Sequence, residues 1–206
     1  YENLSKDFNG DTFPQDPNEK ENVKQTHLDL LQRFLRGDTG SQQKLFFWAY
    51  KFDIIPTELI SNLYEEFYRK VTKGKETGTH YTPLALVEYV LSQVLTPSKL
   101  EKNPRILDPA CGSGIFLVES FRRIVRYRVR ERAGAALSYD ELRAILKNQI
   151  AGIERNGEAI RVAAFSLYLA LLHYQEPPDI LEWVRSGQRL PNLKYQNKQG
   201  ERYFNI

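Results

Sequence analysis

The strongest constraint on how this chain can fold is the stretch from Arg105 to Leu117, Arg-Ile-Leu-Asp-Pro-Ala-Cys-Gly-Ser-Gly-Ile-Phe-Leu. Arg105 to Leu107, after Pro104, reads as the first short strand of a parallel sheet. Asp108 falls at that strand's carboxyl end. Gly112 and Gly114 predict a turn too tight for side chains, and Ile115 opens a helix. Strand, acid, glycine turn and helix in that order build a ligand crevice at the carboxyl edge of an open α/β sheet.

The flanking sequence supplies the rest of such a sheet. Apolar spacing predicts helices over 23–36, over the aromatic run 42–50, and after Pro56, where Ile60, Leu63, Tyr64, Phe67 and Val71 form one stripe. A loop rich in Lys, Gly and Thr follows over 72–79. Thr82 as N-cap and Pro83 at the first helical position predict a helix to about Leu95, closed by Thr96-Pro97, with apolar positions Leu86, Val87, Val90, Leu91 and Val94. The helix from Ile115 is expected to run to about Arg132. Ser138 with Glu141 reads as a capping box opening another helix. Residues 149–153 read as a second strand ending on Glu154. Asn156 caps a helix whose face is Ile160, Ala163, Ala164, Leu167 and Leu171. Pro177-Pro178 breaks it, 180–184 is a short helical turn, and 203–206 begins another strand. The expected domains are a helical subdomain over 1–77 and an α/β unit over 78–206, half of a doubly wound fold.

Composition narrows the setting. At 41% hydrophobic and 12% aromatic, 206 residues can bury a substantial core. The single cysteine, Cys111, forms no internal disulfide and suggests a reducing, cytoplasmic compartment. No signal peptide pattern or membrane-length apolar run is present. A net charge of +3 is too small to mark a nucleic-acid binder by itself.

The acids decide what the crevice holds. A dinucleotide fold has a third glycine where this chain has Leu117, and a P-loop needs a Gly-Lys-[Ser/Thr] ending that is absent. Asp108 repels phosphate and attracts an ammonium or a sulfonium-bearing amino acid. Glu154 is placed to accept hydrogen bonds from two ribose hydroxyls. A cationic amino acid joined to a nucleoside is S-adenosylmethionine. The glycine pattern alone is weak; two acids on consecutive strand ends strengthen it.

At these residues the chain resembles a known family. Asp108 to Leu117 resembles the cofactor motif of the adenine-specific DNA methyltransferases of restriction-modification systems. Gly78-Thr79-His80-Tyr81-Thr82-Pro83 resembles the motif that precedes it there, and Gly152-Ile153-Glu154-Arg155-Asn156 with Ala159 resembles the acidic ribose-binding motif. The run from Phe52 to Ser61 with Tyr64-Glu65 is similar to the helical region of fused restriction-and-modification enzymes. The resemblance implies a Rossmann-like, S-adenosylmethionine-dependent methyltransferase half-domain. Tyr81, Thr82 and Pro83 would line the methionine end of the cofactor. Asp108, Pro109, Ala110, Cys111, Gly112, Ser113, Gly114 and Phe116 would form the amino-acid site. Glu154 would take the ribose, and Arg155 and Asn156 would lie near the adenine. It further implies double-stranded DNA as partner, met through a recognition domain outside this chain, and a fused or associated endonuclease.

The family's Asn-Pro-Pro-aromatic catalytic motif does not occur in these residues, and no acidic motif follows a third strand. Arg202 to Ile206 resembles the start of the strand leading to the catalytic motif. Catalytic residues are therefore expected beyond Ile206, and the chain alone is expected to bind cofactor weakly without methylating. An RNA or protein methyltransferase, or a non-catalytic scaffold keeping the fold, are the competing readings. Cys111 reads as a small packed residue rather than a nucleophile. His80 has no partner at metal-ligand spacing, so no metal site is expected. Arg122, Arg123, Arg126, Arg128, Arg130 and Arg132 read as a solvated face or domain contact, because a helix rising about 1.5 Å per residue carries them away from the crevice.

Overall fold

The computed structural model describes residues 18–35, 59–61, 63–66, 82–193, 195–196 and 204–205. The expected helix over 42–50, the loop over 72–79, and His80, Tyr81, Phe67 and Val71 lie outside them. Contacts divide the chain into a unit of Pro14–Pro56 and a larger unit that holds everything from Thr57 onward.

In the smaller unit, α1 spans Glu19–Asn22 and α2 spans Gln25–Leu35. Leu28 and Leu31, which share one face of α2, are 48% and 54% exposed. Periodicity identified the helix, but no second element among the described residues of that unit covers this face.

The larger unit carries the remaining elements in order. They are α3 (Leu84–Val94), α4 (Pro97–Leu100), β1 (Ile106–Asp108), α5 (Ile115–Glu131), α6 (Tyr139–Gln149), β2 (Ile150–Glu154), α7 (Gly157–Leu172), α8 (Pro177–Arg185), β3 (Tyr195–Gln196) and β4 (Phe204–Asn205). Residues 59–61 and 63–66 are also helical. β1 and β2 pair in parallel, with Ile106 opposite Ile150, Leu107 opposite Ala151 and Asp108 opposite Gly152. β2 continues two residues past β1, and β4 pairs antiparallel with that extension, Ile153 opposite Asn205. β3 then pairs antiparallel with β4. The expected strand near 203–206 is thus present at Phe204–Asn205. It runs antiparallel to the end of β2, on the edge of β2 opposite β1.

Several helix ends follow from local chemistry. Ser138 Oγ accepts from Glu141 N–H while the Glu141 carboxylate takes Ser138 N–H, the capping box expected for α6. Asn156 Oδ1 accepts from Glu158 and Ala159 N–H and caps α7. Other ends differ from expectation. Pro83, not Thr82, is the N-cap of α3, without a side-chain capping bond, because its extended ψ of 138° delays the helix by one residue. Pro97 opens α4 and Pro177-Pro178 opens α8. Proline lacks only an N–H that the first helical turn leaves unbonded, so it starts these helices as readily as it ends the preceding ones.

The core lies where α5 packs against α7, α3 and both parallel strands. Leu117, Phe121, Leu142, Ile145, Ile160, Leu167 and Leu171 are completely buried. On α3 the buried positions are Val87 and Leu91, joined by Leu95, while Leu86 and Val94 are more than half exposed. Apolar residues ring that helix, so sequence spacing could not choose the face. Among the described residues no helix is long and apolar enough to cross a membrane.

Two tyrosines tie the segment after α8 back to the core. Tyr168, fully buried on α7, donates to Pro191 O at 2.8 Å and accepts from Leu193 N–H at 3.4 Å. Tyr139 OH donates to Arg189 O at 2.7 Å. Removing a hydroxyl from a buried site strands its backbone partners, at a cost of about 1–3 kcal/mol. Tyr168→Phe is therefore expected to lower the unfolding free energy by about that amount in urea denaturation, with the m-value unchanged.

Candidate cofactor crevice

Register places the two acids. Asp108 ends β1 opposite Gly152, and Glu154 ends β2 two residues further on. Both carboxylates therefore sit at the carboxyl edge of the parallel pair, the position of a ligand crevice in such sheets.

The glycine turn between β1 and α5 is bound to β2 at two points. Cys111 N–H donates to Ile153 O at 3.0 Å, and Gly112 N–H donates to Glu154 Oε2 at 2.9 Å. Glu154 Oε1 accepts from Asn156 N–H at 2.7 Å. Glu154, expected to face a ribose, thus also locks the turn to the start of α7. Each carboxylate oxygen uses one acceptor position in this way and keeps another. Asp108 Oδ1 accepts from Ala110 N–H at 3.0 Å, which folds the turn's first corner.

The two glycines do different things. Gly112 has φ +53° and open space where a side chain would begin. Gly114 has φ +89°, and an added Cβ would lie 2.7 Å from Ala163 Cβ and 3.0 Å from Ala163 Cα on α7. Gly114 therefore brings α5 against α7, whereas Gly112 leaves a backbone surface clear. A third glycine, Gly152 on β2, makes room for the helix: a Cβ there would stand 2.6 Å from Leu117 Cδ1 and 2.8 Å from Cys111 Sγ.

Burial shapes the charges. It raises the Asp108 carboxyl above its ordinary value of 3.8; the Ala110 N–H opposes this and Glu154 adds to it. The Cys111 thiol is pushed up to about 12 by burial and by Asp108 and Glu154, so it stays a protonated packing group.

Not every residue expected at the site is brought to it in the same way. Ser113 is buried, Gly112, Phe116 and Asn156 are half-buried, and Pro109, Ala110 and Arg155 are exposed. Thr82 is half-buried and Pro83 exposed at the entrance to α3, and Tyr81 lies outside the described residues. The arginine run on α5 is not simply a solvated face. Arg122 and Arg126 bond the buried Glu119 at 2.6 and 3.3 Å, Arg128 bonds Asn103 and Gln149, and Arg132 bonds Glu141. Sequence reading placed Leu63 and Tyr64 on one apolar stripe and gave Ser61 and Glu65 no contact to the crevice. Leu63 is 59% exposed, while Ser61, Tyr64 and Glu65 turn toward the crevice turn and the α7 cap.

In sequence, the chain is similar to known methyltransferases. The family described as N-6 DNA Methylase matches residues 56–181. The adenine-specific methyltransferase PglX of Streptomyces coelicolor is 28% identical over 119 residues, 56% of this chain and 10% of its own. A putative type II restriction enzyme and methyltransferase, RM.MjaORFECS2P of Methanocaldococcus jannaschii, is 32% identical over 102 residues, 47% of this chain and 8% of its own. The type II restriction enzyme and methyltransferase RM.BcgI of Heyndrickxia coagulans is 29% identical over 115 residues, 54% of this chain and 16% of its own. The chain therefore spans 8–16% of the length of these curated relatives. No solved structure matches it significantly.

The contrast between the two glycines is measurable by thermal or denaturant unfolding. Gly112→Ala meets only the left-handed backbone penalty, about 1–2 kcal/mol. Gly114→Ala adds overpacking against α7 and is expected to cost on the order of 2–5 kcal/mol.

Proposed function

The chain belongs to the N-6 DNA methylase family, and from that premise we propose that its crevice holds S-adenosylmethionine as part of an adenine-specific DNA methyltransferase of a restriction-modification system. The observation that carries the reading is the pair of carboxylates at adjacent parallel strand ends, flanking a glycine turn whose Gly112 face is open. The architecture then corresponds to the cofactor half of a Rossmann-like methyltransferase, with the helical subdomain over 1–77 and the cofactor-binding part over 78–206. Double-stranded DNA is the proposed partner of the whole protein. A fused or associated endonuclease fits relatives named as combined restriction enzymes and methyltransferases.

The residues present suit that cofactor. Asp108 is a carboxylate short of solvation, and a neighbouring ammonium restores what burial removes. Glu154 keeps one acceptor position on each oxygen for vicinal hydroxyls while its backbone bonds fix the carboxylate plane. Backbone at Gly112 can approach a ligand without a side chain between them. Tyr81, Thr82 and Pro83 would border the methionine end, Ser113, Gly114 and Phe116 would support the turn, and Arg155 and Asn156 would border the adenine. When bound, S-adenosylmethionine supplies an electrophilic methyl group on its sulfonium. The chain's own part is binding and orientation, which supplies much of the rate in reactions that depend on alignment.

Isothermal titration of the 206-residue chain with S-adenosylmethionine tests this directly. Asp108→Asn and Glu154→Gln are each expected to weaken binding about ten-fold or more, as loss of a charged hydrogen-bonding partner does; unchanged affinity in both variants would overturn the assignment. The pH dependence has a defined sign. Cation binding requires ionised Asp108, so affinity falls as pH drops through its carboxyl value, which burial has moved above 3.8. The loss therefore starts at higher pH than for an exposed aspartate, and Asp108→Asn removes that step.

A further inference from the structure

We propose that the helical stretches 59–61 and 63–66 are a built part of the crevice, with Tyr64 and Glu65 as positioning residues that hold the glycine turn against the end of β2. The inference rests on the cofactor reading above and extends the site to residues well upstream of the glycine motif.

Ser61, Tyr64 and Glu65 stand at i, i+3 and i+4, the spacing that puts three side chains on one helix face. Ser113, at the middle of the turn, is 2% exposed and is held from both sides. Its hydroxyl donates to Glu65 Oε1 at 2.6 Å, and its carbonyl accepts from Ser61 Oγ at 3.3 Å. Ser61 is itself only 2% exposed. One helical turn along, Tyr64 OH accepts from Asn156 Nδ2 at 3.3 Å. Asn156 is the N-cap of α7, and its backbone N–H is the group that Glu154 Oε1 binds. Glu154 Oε2 in turn binds Gly112, next to Ser113.

These contacts close a ring. It runs from Glu65 to Ser113, along the turn to Gly112, across Glu154 to Asn156, and back through Tyr64 to the helix that carries Glu65. Without the helical segment, the turn and the β2 end are still linked by Glu154, the carboxylate assigned to the ribose, and by the Cys111 backbone bond. With it, Ser113 itself is held directly, in addition to the Glu154 and Cys111 links. The Ser113–Glu65 bond is short at 2.6 Å and buried at its Ser113 end, the kind of contact suited to fixing a loop. Holding a loop in its binding geometry before the ligand arrives raises affinity without any direct contact.

The test separates positioning from direct ligation and from bulk stability. Glu65→Ala removes the acceptor, whereas Glu65→Gln retains a carbonyl oxygen for the Ser113 hydroxyl but no charge. In the 206-residue chain, Glu65→Ala is expected to weaken S-adenosylmethionine binding about ten-fold, and Glu65→Gln to restore most of it. Affinity for 5′-methylthioadenosine, which lacks the amino-acid arm, should change less than three-fold in either variant. Amide hydrogen exchange at Gly112 and Gly114 in the ligand-free chain should quicken about ten-fold in Glu65→Ala and in the milder Tyr64→Phe. Equal loss in the Ala and Gln variants would make Glu65 a direct ligand and overturn the inference. So would unchanged cofactor affinity together with unchanged exchange at the two glycines. If the unmodified chain shows no binding heat, the cofactor reading fails instead, and the exchange rates still decide the positioning role.

Discussion

The carboxylate of Glu154 joins the fold to the site. One oxygen holds Gly112 and the other holds Asn156, so the turn that opens α5 and the cap that opens α7 are fixed to one side chain. An acid in that place stabilises two helix beginnings, where backbone N–H groups otherwise lack partners. The same charge sits beside Asp108, and burial with this proximity keeps the Asp108 carboxyl raised. In the proposed reading, the cationic amino-acid arm of S-adenosylmethionine would offset the burial that raises the Asp108 carboxyl.

Close approach of backbone is the second requirement, and three glycines divide the work. Gly114 lets α5 meet α7 at Ala163, Gly152 lets β2 pass Leu117 and Cys111, and Gly112 keeps space free above the turn. A dinucleotide fold places the third glycine of its motif in the helix, where this chain has the fully buried Leu117. Here the space comes from the strand instead. The substitution of partner explains how a motif with a leucine at that position still packs tightly under a crevice.

Much of this was legible in the sequence, and what was missed shares one cause. The β1 and β2 positions, the Ser138–Glu141 capping box and the Asn156 cap follow from local rules, and the structure has them. What went astray depended on tertiary partners. Leu86 and Val94 are apolar but sit on the uncovered side of α3, and β4 pairs antiparallel with the end of β2. Pro97 and Pro177-Pro178 follow helix ends, as read, but each also opens a further helix, since the residue type fits both sides of a helix boundary. At the crevice, spacing identified the acids and glycines but not the backbone bonds of Glu154.

Segment 59–66 shows most clearly why the remainder was hidden. Hydrophobic periodicity searches for faces that exclude water, and its stripe joined the exposed Leu63 to Tyr64, which docks through its hydroxyl. The face that docks is Ser61, Tyr64 and Glu65, and its partners are Ser113 and Asn156, up to 92 residues away in sequence. A polar face leaves no apolar stripe, and its partners are single hydroxyl and amide groups that any sequence contains. The arginines of α5 teach the same lesson from the other side: a run that looks like a solvated surface is partly occupied in holding Glu119, Gln149 and Glu141. Burial of a carboxylate such as Glu119 requires cations within reach, so the position of those arginines is set by packing before any partner meets them.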